Sequence, residues 1–86
     1  MPEVSRFLGI VIKMFFDDHA PPHFHAYYQN YNATFSIRTG ELIDGKFPAK
    51  QSVFVTAWAL LHKKELMDNW KSLVSGKGAS KIDPLR

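Results

Sequence analysis

The chain has 86 residues, of which 45% are apolar and 14% aromatic, a composition typical of one folded globular domain spanning 1–86. It contains no cysteine, which excludes disulfides and cysteine-based zinc sites. No apolar run approaches the roughly 18 residues of a membrane span, and no segment has a signal-peptide pattern, so we expect a cytoplasmic protein without membrane contact. The net charge is −2 over residues 1–45 and +5 over residues 46–86, which is compatible with nucleic acid, with an acidic partner or with a solvated lysine-rich helix.

The first half of the chain predicts strands. Residues 7–16 are rich in β-branched and aromatic side chains and predict the first strand. Residues 17–22 predict a loop, because consecutive prolines cannot continue a hydrogen-bonded ladder. Further strands are predicted over 23–28, 33–38 and 41–44, separated by polar or glycine-containing turns.

The second half of the chain predicts helix over 49–75, beginning after Pro48. Its apolar residues recur at helical spacing, but the step from Leu61 to Leu66 rotates the apolar stripe, which indicates a break near 62–64. The sequence therefore predicts an α+β domain, an antiparallel β-meander of three to four strands packed on a C-terminal helical segment.

A pairing of the two central strands can be predicted from their alternation. If Tyr28 pairs with Ala33, Phe24 lies on an apolar face that packs on the helix, and His23 lies opposite Arg38 on the other face. That other face then carries His23, His25, Tyr27, Thr34, Ser36 and Arg38, with Lys13 beside them.

The residues most suggestive of chemistry are concentrated before and at the start of the second strand, where three of the four histidines lie within seven residues. A His-x-His pair on a strand puts both imidazoles on one side, about 7 Å apart along the chain, which suits two ligands of one metal ion. Asp17, Asp18, His23 and His25 are the candidate ligands of a divalent metal such as zinc or manganese. A position left open for water would make the protein a small metal-dependent hydrolase.

Two other hypotheses use the same residues. In a metal-independent ribonuclease, His23 and His25 would be acid and base, Lys13 and Arg38 would bind phosphate, and Tyr27 would support catalysis or stack a base. In a non-catalytic adaptor, the histidine and tyrosine side chains would form a protein-binding surface. Residue types alone do not decide among the three hypotheses.

Several motifs of the chain resemble one family of small bacterial proteins. The residues that carry the resemblance are Phe16–Ala26 (FDDHAPPHFHA), Ile37–Glu41, Trp58–Leu66, Asn69–Trp70 and Lys81–Leu85. The family is catalogued as domain of unknown function family 4160. Its members look like short cytoplasmic proteins of prokaryotes and phages, often encoded beside another small protein in pairs that resemble toxin–antitoxin modules.

The resemblance implies a small α+β domain with a cognate small protein as partner, and it supplies no catalytic residues. The favoured prediction is accordingly a component of a toxin–antitoxin-like module, toxin or antitoxin, that acts on or binds RNA. The adaptor and the metal-dependent hydrolase remain the alternatives, and a homodimer is a further option for its assembly.

Overall fold

A computed structural model describes residues 3–85 and contains a five-stranded sheet followed by two helices. The strands are β1 (Glu3–Phe7), β2 (Ile10–Lys13), β3 (His23–Tyr28), β4 (Tyr31–Ser36) and β5 (Leu42–Lys46), and the helices are α1 (Ala49–Leu61) and α2 (Lys63–Val74). Every strand pairs antiparallel with its neighbour in sequence, in the order β1-β2-β3-β4-β5. The predicted class, an α+β meander with a C-terminal helical segment, is confirmed.

The predicted single strand over 7–16 is wrong, because a hairpin turn at Leu8 and Gly9 divides it. Both residues have positive φ, 51° and 78°, which matches the two-residue turn that follows the natural twist of a hairpin. Glycine at the second position adopts this conformation without a Cβ clash. The sheet therefore gains β1, which begins at Glu3, and has five strands rather than three or four.

The β3–β4 hairpin is tighter than predicted and changes the pairing. Gln29, with φ 52°, begins a two-residue turn, so Tyr28 pairs with Tyr31 rather than with Ala33. β4 consequently starts and ends two residues earlier than the predicted 33–38. Because the shift is even, each side chain keeps its predicted face of the sheet.

The fourth predicted strand differs in its bounds, whereas the predicted break of the helix near 62–64 is confirmed. β5 covers 42–46 rather than 41–44. The helical segment consists of two helices that meet at His62, whose φ of −116° and ψ of 26° interrupt the helical conformation. Because the helix is interrupted at His62, α1 and α2 bury separate stripes of side chains, which accounts for the five-residue step from Leu61 to Leu66 in the apolar pattern.

Trp58 of α1 is the largest fully buried side chain and joins the layers of the fold. Its ring packs edge-on against Phe24 of β3, and its Nε1 donates a hydrogen bond of 2.8 Å to the carbonyl of Asp83 in the C-terminal tail. The helices thus cover the apolar face of the sheet. The opposite face, hereafter the histidine face, carries half-buried side chains that include His23, His25 and Tyr27.

Candidate metal centre

The loop between β2 and β3 returns an acidic side chain to the start of β3. The backbone N–H of Phe15 donates to Asp18 Oδ2 at 3.3 Å, an arrangement that turns the loop back on itself. Asp18 is half-buried, whereas its neighbour Asp17 is exposed. Only the second of the two consecutive aspartates therefore faces the histidines.

His23 and His25 lie on the same face of β3 because successive side chains of a strand alternate between faces. Their rings are 5.1 Å apart between centroids and nearly perpendicular, at 82°. His25 Nε2 lies 3.2 Å from both carboxylate oxygens of Asp18, and His23 Nε2 lies 3.5 Å from Asp18 Oδ1. Two imidazole nitrogens thus converge on one carboxylate.

The orientation of His23 is fixed by the backbone of the proline pair. His23 Nδ1 lies 2.8 Å from the carbonyl oxygen of Pro21. A carbonyl only accepts hydrogen bonds, so Nδ1 carries the hydrogen and a neutral ring presents the Nε2 lone pair to Asp18. A lone pair and a carboxylate repel each other, and either a proton or a cation between them relieves that repulsion.

This arrangement is typical of histidines that bind metals. A ligating histidine usually donates its second ring N–H to a carbonyl or carboxylate, which fixes the ring and the tautomer. Pro21 provides that acceptor for His23, and its backbone position comes from the same loop that carries Asp18. The support of the ring does not depend on any mobile side chain.

Aromatic side chains border the centre on two sides. The ring of Trp70 in α2 is 5.2 Å from that of His23, and the ring of Phe15 is 5.1 Å edge-on from that of His25. The side chains of Asp18, His23 and His25 retain only 14%, 13% and 24% of their exposure. Charges in such a site are less screened by water than at an open surface.

The spacing of the donor atoms is close to that needed for one ion. One ligand atom from each of Asp18, His23 and His25 lies within 4.8 Å of the other two. Metal–ligand bonds of roughly 2.0–2.2 Å require donor atoms about 3.0–3.5 Å apart, so any pair that is farther apart than this would have to close up around an ion. Two histidines and one carboxylate suit zinc, manganese or iron and leave coordination positions for water or substrate.

Two of the predicted site residues lie beside the centre without belonging to it. Lys13 of β2 pairs with His25 across the sheet, and its Nζ lies 5.0 Å from the centre of the Tyr27 ring. The two side chains make a cation–π contact on the histidine face. A cation and an aromatic ring are therefore next to the candidate metal ligands.

Two other predicted residues are not brought to the centre. Asp17 does not join the group of potential ligands found in residues 3–85. Arg38 does not face His23, because the shifted hairpin puts Ser36 in that position and leaves Arg38 exposed in the turn after β4. The prediction that Arg38 lies opposite His23 was wrong, and the cause is the two-residue turn between β3 and β4.

The fourth histidine is at the junction of the helices. His62 Nδ1 lies 2.6 Å from Glu65 Oε1, and the ring packs near Trp58. The sequence did not reveal the contributions of Phe15, Trp70 and the Pro21 carbonyl to the centre. A backbone carbonyl leaves no signal in the residue type, and the aromatic residues are equally compatible with a place in the core.

The fold and this cluster define a small α+β protein with a candidate two-histidine, one-carboxylate metal centre. The chain belongs to the family described as Domain of unknown function (DUF4160), whose model matches residues 9–71 and confirms the resemblance. The matched span includes the three candidate ligands. Comparisons with curated proteins and with solved structures found no match. Among residues 3–85, no helix has the length and apolar character to cross a membrane.

Proposed function

We propose that the protein is a small metal-dependent hydrolase whose centre is formed by Asp18, His23 and His25. The observation that carries the proposal is the convergence of one carboxylate and two Nε2 atoms, with the His23 ring held by the Pro21 carbonyl. A divalent ion held by these residues would supply Lewis-acid chemistry for hydrolysis. The half-buried surroundings strengthen its electrostatic effect on a substrate.

The number of ligands favours a catalytic over a structural role. Structural zinc sites usually have four protein ligands, whereas catalytic sites have three and keep a position open. The ligand group in the described part of the chain has three members. The core supplied by Trp58 and the sheet is also continuous without the centre, so an ion is not needed to fill the interior.

The neighbours of the centre favour a phosphodiester, and RNA in particular, as substrate. Lys13 offers a positive charge next to His25, and Tyr27 offers a ring on which a base can stack. Both lie on the histidine face and are half-buried there. In this proposal Lys13 binds phosphate, Tyr27 supports a base, and the chain acts within a two-protein module whose second member is a small cognate protein.

A metal-independent ribonuclease is less well supported. An acid and a base that act on one phosphate need ring nitrogens directed at two different atoms of the substrate. The Nε2 atoms of His23 and His25 are instead both directed at Asp18. Arg38, the phosphate ligand of that mechanism, is exposed in the turn after β4, and Ser36 rather than Arg38 pairs with His23.

The metal centre is tested by titrating tag-free protein with zinc and manganese in a calorimeter. Wild type is expected to bind one ion per chain, and Asp18→Asn is expected to weaken binding at least tenfold. Two matched controls come from the same loop, since Asp17→Asn and His19→Ala change the same residue types outside the ligand group. Equal weakening by Asp17→Asn and Asp18→Asn, or no binding by wild type, would refute the centre.

The substrate is tested with single-stranded RNA. Metal-loaded wild type is expected to cleave it, chelator to stop cleavage, and added metal to restore it, while Asp18→Asn prepared in parallel stays inactive. Lys13→Gln is expected to weaken RNA binding and to reduce the number of counterions released on binding, measured from the salt dependence of the binding constant, by about one. Lys64→Gln, on the exposed surface of α2, is expected to change neither quantity. Cleavage that persists in chelator would show the metal-independent mechanism instead, and intact RNA under all conditions would exclude RNA as substrate.

A further inference from the structure

The outer surface of α1 is apolar, although the helix lies at the surface of the described chain. The helix buries Val55, Trp58 and Ala59 towards the sheet. On the opposite side, Val53 and Leu60 remain 65% and 55% exposed. A helix that is apolar on all sides is normally covered on all sides. Within residues 3–85 the turn at Gly40 lies beside Leu60, yet more than half of Val53 and of Leu60 stays uncovered.

The exposed residues form one continuous stripe. Val53, Ala57 and Leu60 follow each other at intervals of four and three residues and so lie on one line along the helix. Ser52 and Thr56 complete a shallow groove of about 390 Å³ along the same line. We call the three residues Val53, Ala57 and Leu60 the α1 stripe. Residues 51–61 contain no charged side chain, so no charge in this part of the helix opposes its burial.

We propose that the α1 stripe binds the α1 stripe of a second copy of this chain in an antiparallel, two-fold symmetric pair. The order of sizes along the stripe is large, small, large, and it keeps this order when the helix direction is reversed. A two-fold axis beside Ala57 therefore brings Val53 of one copy against Leu60 of the other. The small central side chain lets the two helices approach closely, and antiparallel helices also align their dipoles favourably.

The area available fits a weak dimer. The exposed parts of Val53, Ala57, Leu60 and the neighbouring Leu61, which is 72% exposed, amount to roughly 400 Å² per copy. When the groove walls and the lysine side chains at either end are added, the surface buried on both copies together approaches about 1,000 Å², the lower end of the range for specific interfaces. A self-association in the micromolar range is expected. This proposal is independent of the metal centre, because the α1 stripe lies on the side of α1 opposite Val55, Trp58 and Ala59 and contains none of the candidate ligands.

The pair is tested by sedimentation velocity of the tag-free chain over about a hundred-fold range of micromolar concentrations. Wild type is expected to shift from monomer to dimer, and Val53→Lys is expected to weaken the association at least tenfold. Val74→Lys is the matched control, because Val74 on α2 has the same 65% exposure and lies outside the stripe. Wild type that stays monomeric throughout, or equal weakening by both variants, would overturn the proposal, and a partner of another kind would then be sought for the stripe.

The orientation has its own test, because the chain contains no natural cysteine. Ala57→Cys places one thiol beside the proposed two-fold axis, so mild oxidation is expected to link most of the dimer covalently. Val74→Cys is expected to remain largely uncrosslinked under the same conditions. Crosslinking of Val74→Cys but not of Ala57→Cys would refute the antiparallel pair even if a dimer forms.

Discussion

Asp18→Asn should separate a metal centre from a hydrogen-bonded cluster that binds nothing. In the metal-free protein the carboxylate accepts from Phe15 N–H and lies close to both imidazoles. An asparagine side chain keeps one oxygen for these donors and adds an NH₂ group that donates to the Nε2 lone pair of His23. The free energy of unfolding without metal is therefore expected to change by less than about 1 kcal/mol.

With metal the two proteins should differ clearly. At a free metal concentration of about ten times the dissociation constant, an ion that binds only the folded state stabilises wild type by about 1.4 kcal/mol. For a domain of this size that corresponds to a rise in melting temperature of roughly 6–11 °C. If Asp18→Asn weakens binding about a hundredfold, the same concentration adds less than about 0.1 kcal/mol, and no shift is measurable.

The assay is differential scanning calorimetry with and without zinc or manganese, using Asp17→Asn as the control that keeps the full shift. A purely structural cluster predicts the reverse pattern. Asp18→Asn would then destabilise the metal-free protein by about 1.5–3 kcal/mol, through lost hydrogen bonds to a charged group, and metal would shift neither protein. That pattern, or an equal shift in Asp18→Asn and wild type, would refute the argument from the His23 lone pair.

Two further predictions concern the fold that supports the centre. Trp58→Phe should lower the free energy of unfolding, measured by urea denaturation, by about 2–4 kcal/mol. The variant loses the hydrogen bond to the Asp83 carbonyl and leaves a cavity in the core. A decrease below about 1 kcal/mol would contradict the role of Trp58 in joining the helices to the sheet. Gly45→Ala should cost about 2 kcal/mol or more, because Gly45 has φ +87° and a Cβ there lies 2.6 Å from the Asn32 carbonyl oxygen. Gly78→Ala is its control, because a Cβ added at Gly78 has no atom within 4 Å. An equal loss of stability in the two variants would show that the close approach of Gly45 to Asn32 is unimportant.

The sequence predicted the sides of the sheet better than it predicted the hairpins. Alternation puts His23 and His25 on one face and Phe24 on the other, and this holds in the structure because the pairing differs by an even number of residues. The turn at Leu8–Gly9 escaped prediction, because a single glycine in an apolar run carries a weaker turn signal than two polar residues. The position of such a turn depends on burial and on strand twist, which cannot be read from the sequence.

The composition of the site was harder to predict than the position of its strand. Two adjacent aspartates are equivalent in sequence, and only the loop conformation, with Phe15 N–H bound to Asp18, distinguishes them. Arg38 was placed opposite His23 by an assumed turn length, and a difference of two residues put Ser36 in that position instead. Contacts that depend on loop geometry or on a backbone acceptor, such as the Pro21 carbonyl, follow from the folded chain and not from residue types.

The two proposals use opposite sides of the molecule, and this makes them compatible. The core side chains of the sheet pack with Trp58 of α1, whereas His23 and His25 lie on the other face, where the ring of Trp70 in α2 contacts that of His23. The α1 stripe lies on the side of α1 opposite its buried residues Val55, Trp58 and Ala59. A two-fold pair through the α1 stripe therefore uses none of the candidate ligands Asp18, His23 and His25. Each chain of the dimer would keep its own centre, its own Lys13 and Tyr27, and independent access for a substrate strand.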